Sequence, residues 1–301
     1  MSEPTILELL SPATLARIDD YAFLARIVVE GFLSGLHRSL FHGYGSEFFQ
    51  YRNYAPGDDL KYLDWKVFAK RDRYYSKVFQ EETNMNCCVF LDVSQSMGYR
   101  GERAACSKLH YASMIASCLA YLASRQGDYV GFYAYSGELV CAIKPTGRSG
   151  QFHRLIGEIM RLRCQGRADH ERALGAVAED LRRHGVVVII SDLLEAETVL
   201  APLLRRFRFS HHECVVVQVL DPDEIEFPFF RTTRFIDSES GDQIVTAPQI
   251  VRNAYLKNMN EFLDKTKAAC LEMHTDYLLA RTTDSLGNSL AAYLHRRESL
   301  R

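Results

Sequence analysis

The chain has 301 residues, of which 47% are hydrophobic and 25% are charged, a balance typical of a folded globular protein. A chain of this length permits one large α/β domain, or one such domain with a smaller attached region. The formal net charge of -2 at pH 7 gives no electrostatic support for a nucleic-acid partner.

The N-terminal part of the chain does not show a regular alternation of strands and helices. Ser11 followed by Pro12 is typical of a helix start, since proline is favoured in the first helical turn. Segments rich in aromatic and charged residues follow around Tyr51 to Tyr75. We therefore predict that residues 1–85 form an N-terminal region, both helical and β, packed on a main domain of residues 86–301.

From Asn86 onward, short apolar runs alternate with helical stretches. The runs predicted as strands are Cys87–Leu91, Tyr129–Tyr135, Leu139–Ile143, Val186–Ile190, Cys214–Leu220 and Tyr277–Ala280. The stretches predicted as helices are Cys106–Arg125, Ser149–Arg161, His170–His184, Ala196–Arg206, Val251–Met273 and Ser285–His295. Ser136 and Gly137 predict a hairpin turn between two of these strands.

Strands that are apolar throughout are typical of a sheet buried on both faces. With helices between them, they predict an α/β fold with a mostly parallel, doubly wound sheet. One segment departs from this alternation. There, Arg231–Asp237 and Gln243–Ala247 flank the turn residues Ser240, Gly241 and Asp242. This pattern predicts a β-hairpin insertion at about residues 222–250.

Two carboxylates follow the apolar strands of the main domain. Asp92 ends the first of these strands, and Asp192 follows a later one after a single serine. Sheets of this class bind ligands at the carboxyl ends of their strands. Ser94 and Ser96 follow Asp92 at alternate positions, so one carboxylate and two hydroxyls can converge on one side of an extended loop. Because Mg²⁺ prefers oxygen ligands, we expect a metal site formed by Asp92, Ser94, Ser96 and Asp192.

The segment Leu91–Met97 resembles the Asp-x-Ser-x-Ser signature of von Willebrand factor type A domains, which forms their metal-ion-dependent adhesion site. Val188–Asp192 is similar to a later strand of those domains, which ends in a metal-site aspartate. Glu47–Trp65 resembles a longer signature that precedes the type A fold in the bacterial domain-of-unknown-function family numbered fifty-eight. Phe79–Asn84 and the stretch from Glu30 to Ser39 fit the same family, so the resemblance covers nearly the whole chain.

The resemblance implies a bound divalent cation, Mg²⁺ or Mn²⁺, but one position departs from the family pattern. Type A sites take a threonine from the loop before the helix that precedes the second aspartate strand. Here that loop is Gly166–His170, and Ala168 stands where the threonine is expected. Alanine offers no side-chain oxygen, so a water or Asp169 would have to supply the missing ligand.

The resemblance also implies a non-enzymatic protein-binding adaptor that works with a MoxR-type AAA+ ATPase, or with its client, in protein assembly or maturation. Two other functions stay open. One is a metal-free scaffold whose N-terminal region carries the interaction. The other is a metal-dependent hydrolase that uses Asp92 and Asp192, although the motif contains no His or Glu to act as a base.

The sequence also predicts where the protein works. No run of about 20 apolar residues is present, so we predict no membrane span. Charged residues from Glu3 to Glu30 interrupt the N-terminal segment and argue against a secretory signal. The eight cysteines form no C-x-x-C pair, and several lie in apolar runs. Buried, reduced thiols of this kind are typical of a cytoplasmic protein.

Overall fold

The computed structural model describes residues 11–37, 50–53, 75–78, 85–181, 184–239 and 241–298. The strands in these ranges are β1 (Gln50–Asn53), β2 (Tyr75–Val78), β3 (Asn86–Asp92), β4 (Tyr129–Tyr135), β5 (Leu139–Thr146), β6 (Gly185–Ser191), β7 (His212–Leu220), β8 (Thr233–Ile236), β9 (Gln243–Thr246) and β10 (Asp276–Arg281). The α-helices are α1 (Pro12–Leu15), α2 (Tyr21–His37), α3 (Lys108–Arg125), α4 (Gln151–Arg161), α5 (His170–Asp180), α6 (Leu200–Phe209), α7 (Pro222–Glu226), α8 (Pro248–Glu272) and α9 (Gly287–Glu298).

The chain divides into two compact units. The larger unit joins Met1–Leu33 with Met85–Arg301, and the smaller unit is Ser34–Asn84. This division differs from the predicted N-terminal region of residues 1–85, because α2 lies largely in the larger unit. A boundary near residue 85 stays a prediction for the part of the N-terminal region that follows α2.

The larger unit contains a six-stranded sheet with the strand order β10-β7-β6-β3-β4-β5. Neighbouring strands are parallel, except that β4 and β5 pair antiparallel across the predicted turn at Ser136 and Gly137. Every residue of β3 and β6 is buried, which explains why the residues between their ends are apolar. The predicted mostly parallel, doubly wound α/β fold is confirmed.

Helices cover both faces of this sheet. On one face, α5, α6 and α8 pack over side chains of the central strands, among them Phe90, Tyr133 and Ile189. On the other face, α3 packs on β3, and α9 packs on β7 and β10. Ser107 caps the start of α3 by accepting a hydrogen bond from the backbone N–H of His110 at 3.3 Å.

The N-terminal helices are tied to the larger unit. The predicted helix start is confirmed, since Ser11 caps α1 by accepting a hydrogen bond from the backbone N–H of Thr14. In α2, the Tyr21 ring meets the His110 ring edge-on, with 5.7 Å between the ring centroids. Further along α2, the carboxylate of Glu30 accepts a hydrogen bond from the Tyr121 hydroxyl at 3.2 Å. Both partners lie on α3, so α2 belongs to the same packed body.

The predicted hairpin insertion is confirmed. Strands β8 and β9 pair antiparallel, with Thr233 opposite Thr246 and Ile236 opposite Gln243. The ring of Phe235 in β8 stacks on Phe227, with 5.5 Å between the ring centroids. This aromatic contact anchors the base of the hairpin to the end of α7.

The smaller unit is described only by two short strands. There β1 and β2 pair antiparallel, with Gln50 opposite Val78 and Asn53 opposite Tyr75. Apart from residues 50–53, the family-like signature Glu47–Trp65 lies outside the described residues. The role of that signature stays a prediction from the sequence.

Six of the eight cysteines are buried, and Cys141 and Cys164 are partly buried. Burial raises the pKa of the Cys106 thiol to about 11, which keeps it protonated and unreactive near neutral pH. Among the residues described, no helix is both long enough and apolar enough to cross a membrane. The cytoplasmic location stays a prediction from the sequence.

Candidate binding site at the carboxyl edge of the sheet

The structure brings the four predicted site residues together at one edge of the sheet. Asp92 is the last residue of β3, and Asp192 directly follows β6. These strands are parallel neighbours, with Leu91 opposite Ile190, so their carboxyl ends meet at the same edge. The exposed fractions are 0% for Asp92, 0% for Ser94, 8% for Ser96 and 1% for Asp192. The carboxylates and hydroxyls of these four residues therefore lie beneath the surface.

Asp92 is fixed by hydrogen bonds to both of its carboxylate oxygens. Its Oδ1 accepts the backbone N–H of Ser94 at 2.8 Å, and its Oδ2 accepts the hydroxyl of Ser191 at 2.6 Å. The hydroxyls of Ser94 and Ser96 lie 3.1 Å apart and share a hydrogen bond. The sequence interpretation missed Ser191, because a single serine between an apolar strand and an aspartate matches no motif by itself.

Asp192 forms a buried ion pair that the sequence interpretation also missed. Its Oδ2 lies 2.9 Å from the ammonium nitrogen of Lys108, the first residue of α3. The same ammonium lies 2.6 Å from Oε1 of Glu224 in α7. The other oxygen of Asp192 accepts the backbone N–H of Leu194 at 3.2 Å. Lys108 is thus held between two carboxylates that come from different loops of the same sheet edge.

The two aspartates have pKa values shifted in opposite directions. Burial raises the pKa of Asp92 above its ordinary value, and repulsion from Asp192 adds to the effect. Burial also disfavours the anion of Asp192, but the Lys108 ammonium outweighs burial and holds the pKa of that carboxyl below its usual range. The hydroxyl of Ser96 supports the Asp192 anion through a further hydrogen bond. The site therefore favours a charged Asp192 beside an Asp92 that takes up a proton more readily.

The loop before α5 lies against the loop after β3, as the resemblance implies. Two backbone hydrogen bonds join them: Gln165 N–H donates to Val93 at 2.8 Å, and Gln95 N–H donates to Gly166 at 2.9 Å. Gly166 has a φ of 64°, a left-handed conformation that glycine adopts without strain. The loop with Ala168 is thereby held next to Ser94 and Ser96.

The residues beside Ala168 do not supply the missing oxygen ligand. Asp169 is exposed, and its carboxylate caps α5 by accepting the backbone N–H of Arg172 at 3.0 Å. His170 is buried, and its Nδ1 lies 3.2 Å from the hydroxyl of Tyr135. The electrostatic interaction of His170 with Asp92 lowers the pKa of Asp92 and so opposes the effect of burial. Because the Asp169 carboxylate is used to cap α5, the structure does not support the suggestion that Asp169 supplies the metal ligand in place of the threonine.

Exposed residues surround the buried carboxylates, and we call Gln95, Arg167, Leu194 and Glu195 the rim. The guanidinium of Arg167 pairs with the carboxylate of Glu195, with one N–O distance of 2.6 Å. It also lies 3.6 Å from the carboxylate of Glu239, in the turn between β8 and β9. Burial raises the pKa of Glu239, and the negative charges of Glu195 and Asp192 add to the shift. The hairpin insertion therefore reaches the rim.

The donor set does not fit a divalent cation in this arrangement. All four oxygens of Asp92 and Asp192 already accept protein hydrogen bonds. The Lys108 ammonium on Asp192 would repel a second cation bound there, and Ala168 supplies no oxygen. Within the described ranges, no group of three or more His, Cys, Asp or Glu side chains is placed to hold a metal ion. Metal binding by Asp92, Ser94, Ser96 and Asp192 stays a prediction.

The hydroxyls at this edge are held by hydrogen bonds to other protein groups. Ser94 and Ser96 bond to each other, while Ser191 donates to Asp92 and accepts the backbone N–H of Leu193 at 2.9 Å. Ser94 and Ser191 are fully buried, so a substrate does not reach them from solvent. The buried groups therefore stabilise the loops that carry the rim.

The sequence profile of the family described as "Protein of unknown function DUF58" matches residues 50–262. Uncharacterized protein Mb1516 of Mycobacterium bovis is 31% identical over 216 residues, which cover 71% of this chain and 67% of that protein. Uncharacterized protein Rv1480 of Mycobacterium tuberculosis is also 31% identical over 216 residues, with the same coverage of 71% and 67%.

Solved structures with low sequence identity superpose on about 70% of the chain. An aerotolerance-related membrane protein from Bacteroides fragilis superposes with a TM-score of 0.50 at 16% identity, over 71% of this chain and 99% of that chain. BatB from Bacteroides thetaiotaomicron gives a TM-score of 0.48 at 14% identity, over 71% and 99%. The VWA domain of SpRpn10 gives 0.39 at 9% identity, over 69% and 94%. At 16% identity, the likeness to the Bacteroides fragilis protein concerns the fold alone.

Proposed function

Because the chain belongs to the DUF58 family of proteins of unknown function and has a von Willebrand factor type A-like fold, we propose that it is a non-enzymatic protein-binding adaptor. In this proposal the rim of Gln95, Arg167, Leu194 and Glu195 contacts the partner. The buried network of Asp92, Ser94, Ser96 and Asp192 holds the loops that carry the rim. The protein then acts by presenting a shaped surface and not by turning over a substrate.

One observation carries this proposal: two neighbouring strands end in a buried polar network whose surrounding loops are exposed. Open α/β sheets bind their ligands at this edge. The rim combines an apolar side chain, Leu194, which is 40% exposed, with the charged pair Arg167 and Glu195. Partner-binding surfaces commonly pair an apolar contact with charged groups at its margin.

The resemblance to the family suggests a MoxR-type AAA+ ATPase, or its client, as the partner, with assembly or maturation of other proteins as the setting. This assignment rests on analogy within the family. A hydrolase that uses Asp92 and Asp192 is less well supported, because both carboxylates are buried and their oxygens are held by protein groups.

We expect Leu194→Asp to weaken binding to a MoxR-type ATPase from the source organism at least about tenfold, roughly 1.4 kcal/mol. A charge at an apolar contact removes its packing and must be desolvated when the partner binds. The dissociation constant can be measured by biolayer interferometry with the immobilised wild type and variant. Both proteins should have the same melting temperature, because Leu194 is a half-exposed loop residue.

Leu271→Asp is the matched control. Leu271 is 62% exposed near the end of α8, just before β10, and therefore lies towards the amino edge of the sheet. It should leave the dissociation constant unchanged. If both variants weaken partner binding equally, or if neither weakens it, the rim is not the contact surface. Turnover in a phosphatase and esterase screen with Mg²⁺ present would instead favour the hydrolase.

A further inference from the structure

Lys108 is an ammonium group completely enclosed at the sheet edge. Its side chain has an exposed fraction of 0%, and its partners Asp192 and Glu224 have side-chain exposures of 2% and 16%. A lysine ammonium is strongly hydrated in water, so burial is tolerated only when fixed anions replace that water. Asp192 at 2.9 Å and Glu224 at 2.6 Å supply those anions.

The position of Glu224 is itself held by protein groups. Its second carboxylate oxygen accepts the backbone N–H of Asp221 at 2.8 Å, which closes a capping box at the start of α7. Asp221 and Asp223 in turn accept the backbone N–H groups of Gly101 and Glu102, each at 2.9 Å. These hydrogen bonds join the loop after β3 to the start of α7. They hold Glu224 in place beside the Lys108 ammonium.

Asp192 has a positive counter-charge without an added ion. Lys108 carries one positive charge between the carboxylates of Asp192 and Glu224. The Asp92 carboxylate instead accepts hydrogen bonds from the Ser191 hydroxyl and the Ser94 backbone N–H. A divalent cation that bound both aspartates would share the Asp192 carboxylate with the Lys108 ammonium and would be repelled by it. It would also have to displace the hydrogen bonds that Asp92 accepts.

We propose that the Lys108 ammonium, and not a divalent cation, is the positive charge that this adhesion-like site uses, so the native protein binds no Mg²⁺ or Mn²⁺ at Asp92 and Asp192. The Ala168 side chain agrees with this assignment, because a site that does not hold a metal needs no threonine ligand in that loop. The inference concerns the cation chemistry of the site and stands whether or not the proposed partner binds at the rim.

The test is a Mn²⁺ titration of the wild-type protein by calorimetry, with electron paramagnetic resonance to count bound Mn²⁺. We expect no saturable binding up to millimolar Mn²⁺, and the same result for Ser96→Ala. Saturable binding by the wild type that Ser96→Ala abolishes would overturn the proposal, because it would place the ion at this site. Partner binding does not enter the measurement, so a failure here is distinct from a failure of the proposed function.

Lys108→Met provides the second arm, since methionine is close in shape and has no charge. We expect its melting temperature to fall by about 5–10 °C without metal, because Asp192 loses a buried counter-charge. We also expect millimolar Mn²⁺ to restore part of that loss. Lys257→Met on α8 is the matched control, because the side chain of Lys257 is 75% exposed and its removal should change neither quantity. A Lys108→Met variant that melts like the wild type without metal would overturn the proposal. If that variant does not fold, the wild-type titration still decides.

Discussion

Asp92 and Asp192 end neighbouring strands, yet burial and their partners shift their pKa values in opposite directions. The difference comes from Lys108, which contacts Asp192 and not Asp92. A buried carboxylate with a close ammonium keeps its charge, whereas one held only by a hydroxyl and a backbone N–H is more readily protonated. Replacing each aspartate by asparagine should therefore change the stability of the protein with a different pH dependence.

Asp192→Asn should lower the free energy of unfolding by about 3 kcal/mol at neutral pH, because it leaves the Lys108 ammonium with one anion fewer. The folded pKa of Asp192 lies below the unfolded value of about 4. Its contribution to stability is therefore present above that unfolded value and is lost as the pH falls through the folded pKa. Denaturant unfolding from neutral to acidic pH should show the two proteins converging in acid.

Asp92→Asn should behave differently at the same edge. The raised folded pKa of Asp92 means that the wild type loses stability as the pH rises from the unfolded pKa through the folded pKa. The asparagine variant has no such loss, so at neutral pH it should match the wild type or exceed it by up to about 1 kcal/mol. A larger destabilisation of Asp92→Asn than of Asp192→Asn would contradict this account of the charges.

The residues at this edge were not all predictable from sequence. Asp92, Ser94, Ser96 and Asp192 stood out because they follow apolar strands or match a motif. Lys108 did not, since a lysine at the first residue of a helix is usually solvated. Its burial depends on Glu224, 116 residues later in the chain. The only local signal was the Asp221-Pro-Asp-Glu224 pattern, which is typical of a capped helix start and hence of a carboxylate fixed in place.

At the scale of the elements, the register between β3 and β6 sets the position of both aspartates. Gly185 begins β6 opposite Asn86 at the start of β3. A Cβ atom at Gly185 would lie 2.0 Å from the backbone oxygen of Asn86, so only glycine allows this approach. The same register places Leu91 opposite Ile190 at the other end of the strand pair.

Gly185→Ala should therefore destabilise the protein by about 3 kcal/mol or more, because the strand must shift to relieve a contact with rigid backbone. Gly157→Ala is the matched control. It lies within α4, where an added Cβ meets nothing within 4 Å, and it should gain about 0.5–1 kcal/mol from helix propensity. Denaturant unfolding of both variants measures the difference. Similar stabilities for the two would mean that β6 shifts freely against β3.

The strands were easier to predict than the helix ends. Each apolar run predicted from Cys87 onward is a strand of the sheet, and the compositional signal is strongest in β3 and β6, which are buried on both faces. The helix predicted as His170–His184 instead ends at Asp180. Its end coincides with tertiary contacts, among them the hydrogen bond that Nε2 of the buried His212 ring donates to the Leu181 carbonyl, and such contacts leave no local pattern.

At the scale of the whole molecule, α2 is part of the folded body of the larger unit. Leu24 and Val29 in this helix are fully buried, although Phe23 beside them is 54% exposed. A helix that buries one face in this way is part of a core and not a separate appendage. The larger unit therefore includes residues that precede the sheet by about 60 positions in the chain. The entropic cost of closing a loop grows only slowly with its length, so this separation adds little to the free-energy cost of packing α2 on the larger unit.

Leu24→Ala should then lower the stability of the whole larger unit by about 2–5 kcal/mol, the range for a buried leucine that leaves a cavity. The measurement is native-state hydrogen exchange of the buried amides in β3, β6 and β7, whose protection should fall by the same free energy. Phe23→Ala is the control and should change protection by less than about 0.5 kcal/mol, because its side chain is mostly exposed. Unchanged protection of these strands in Leu24→Ala would instead show that α2 unfolds separately from the sheet.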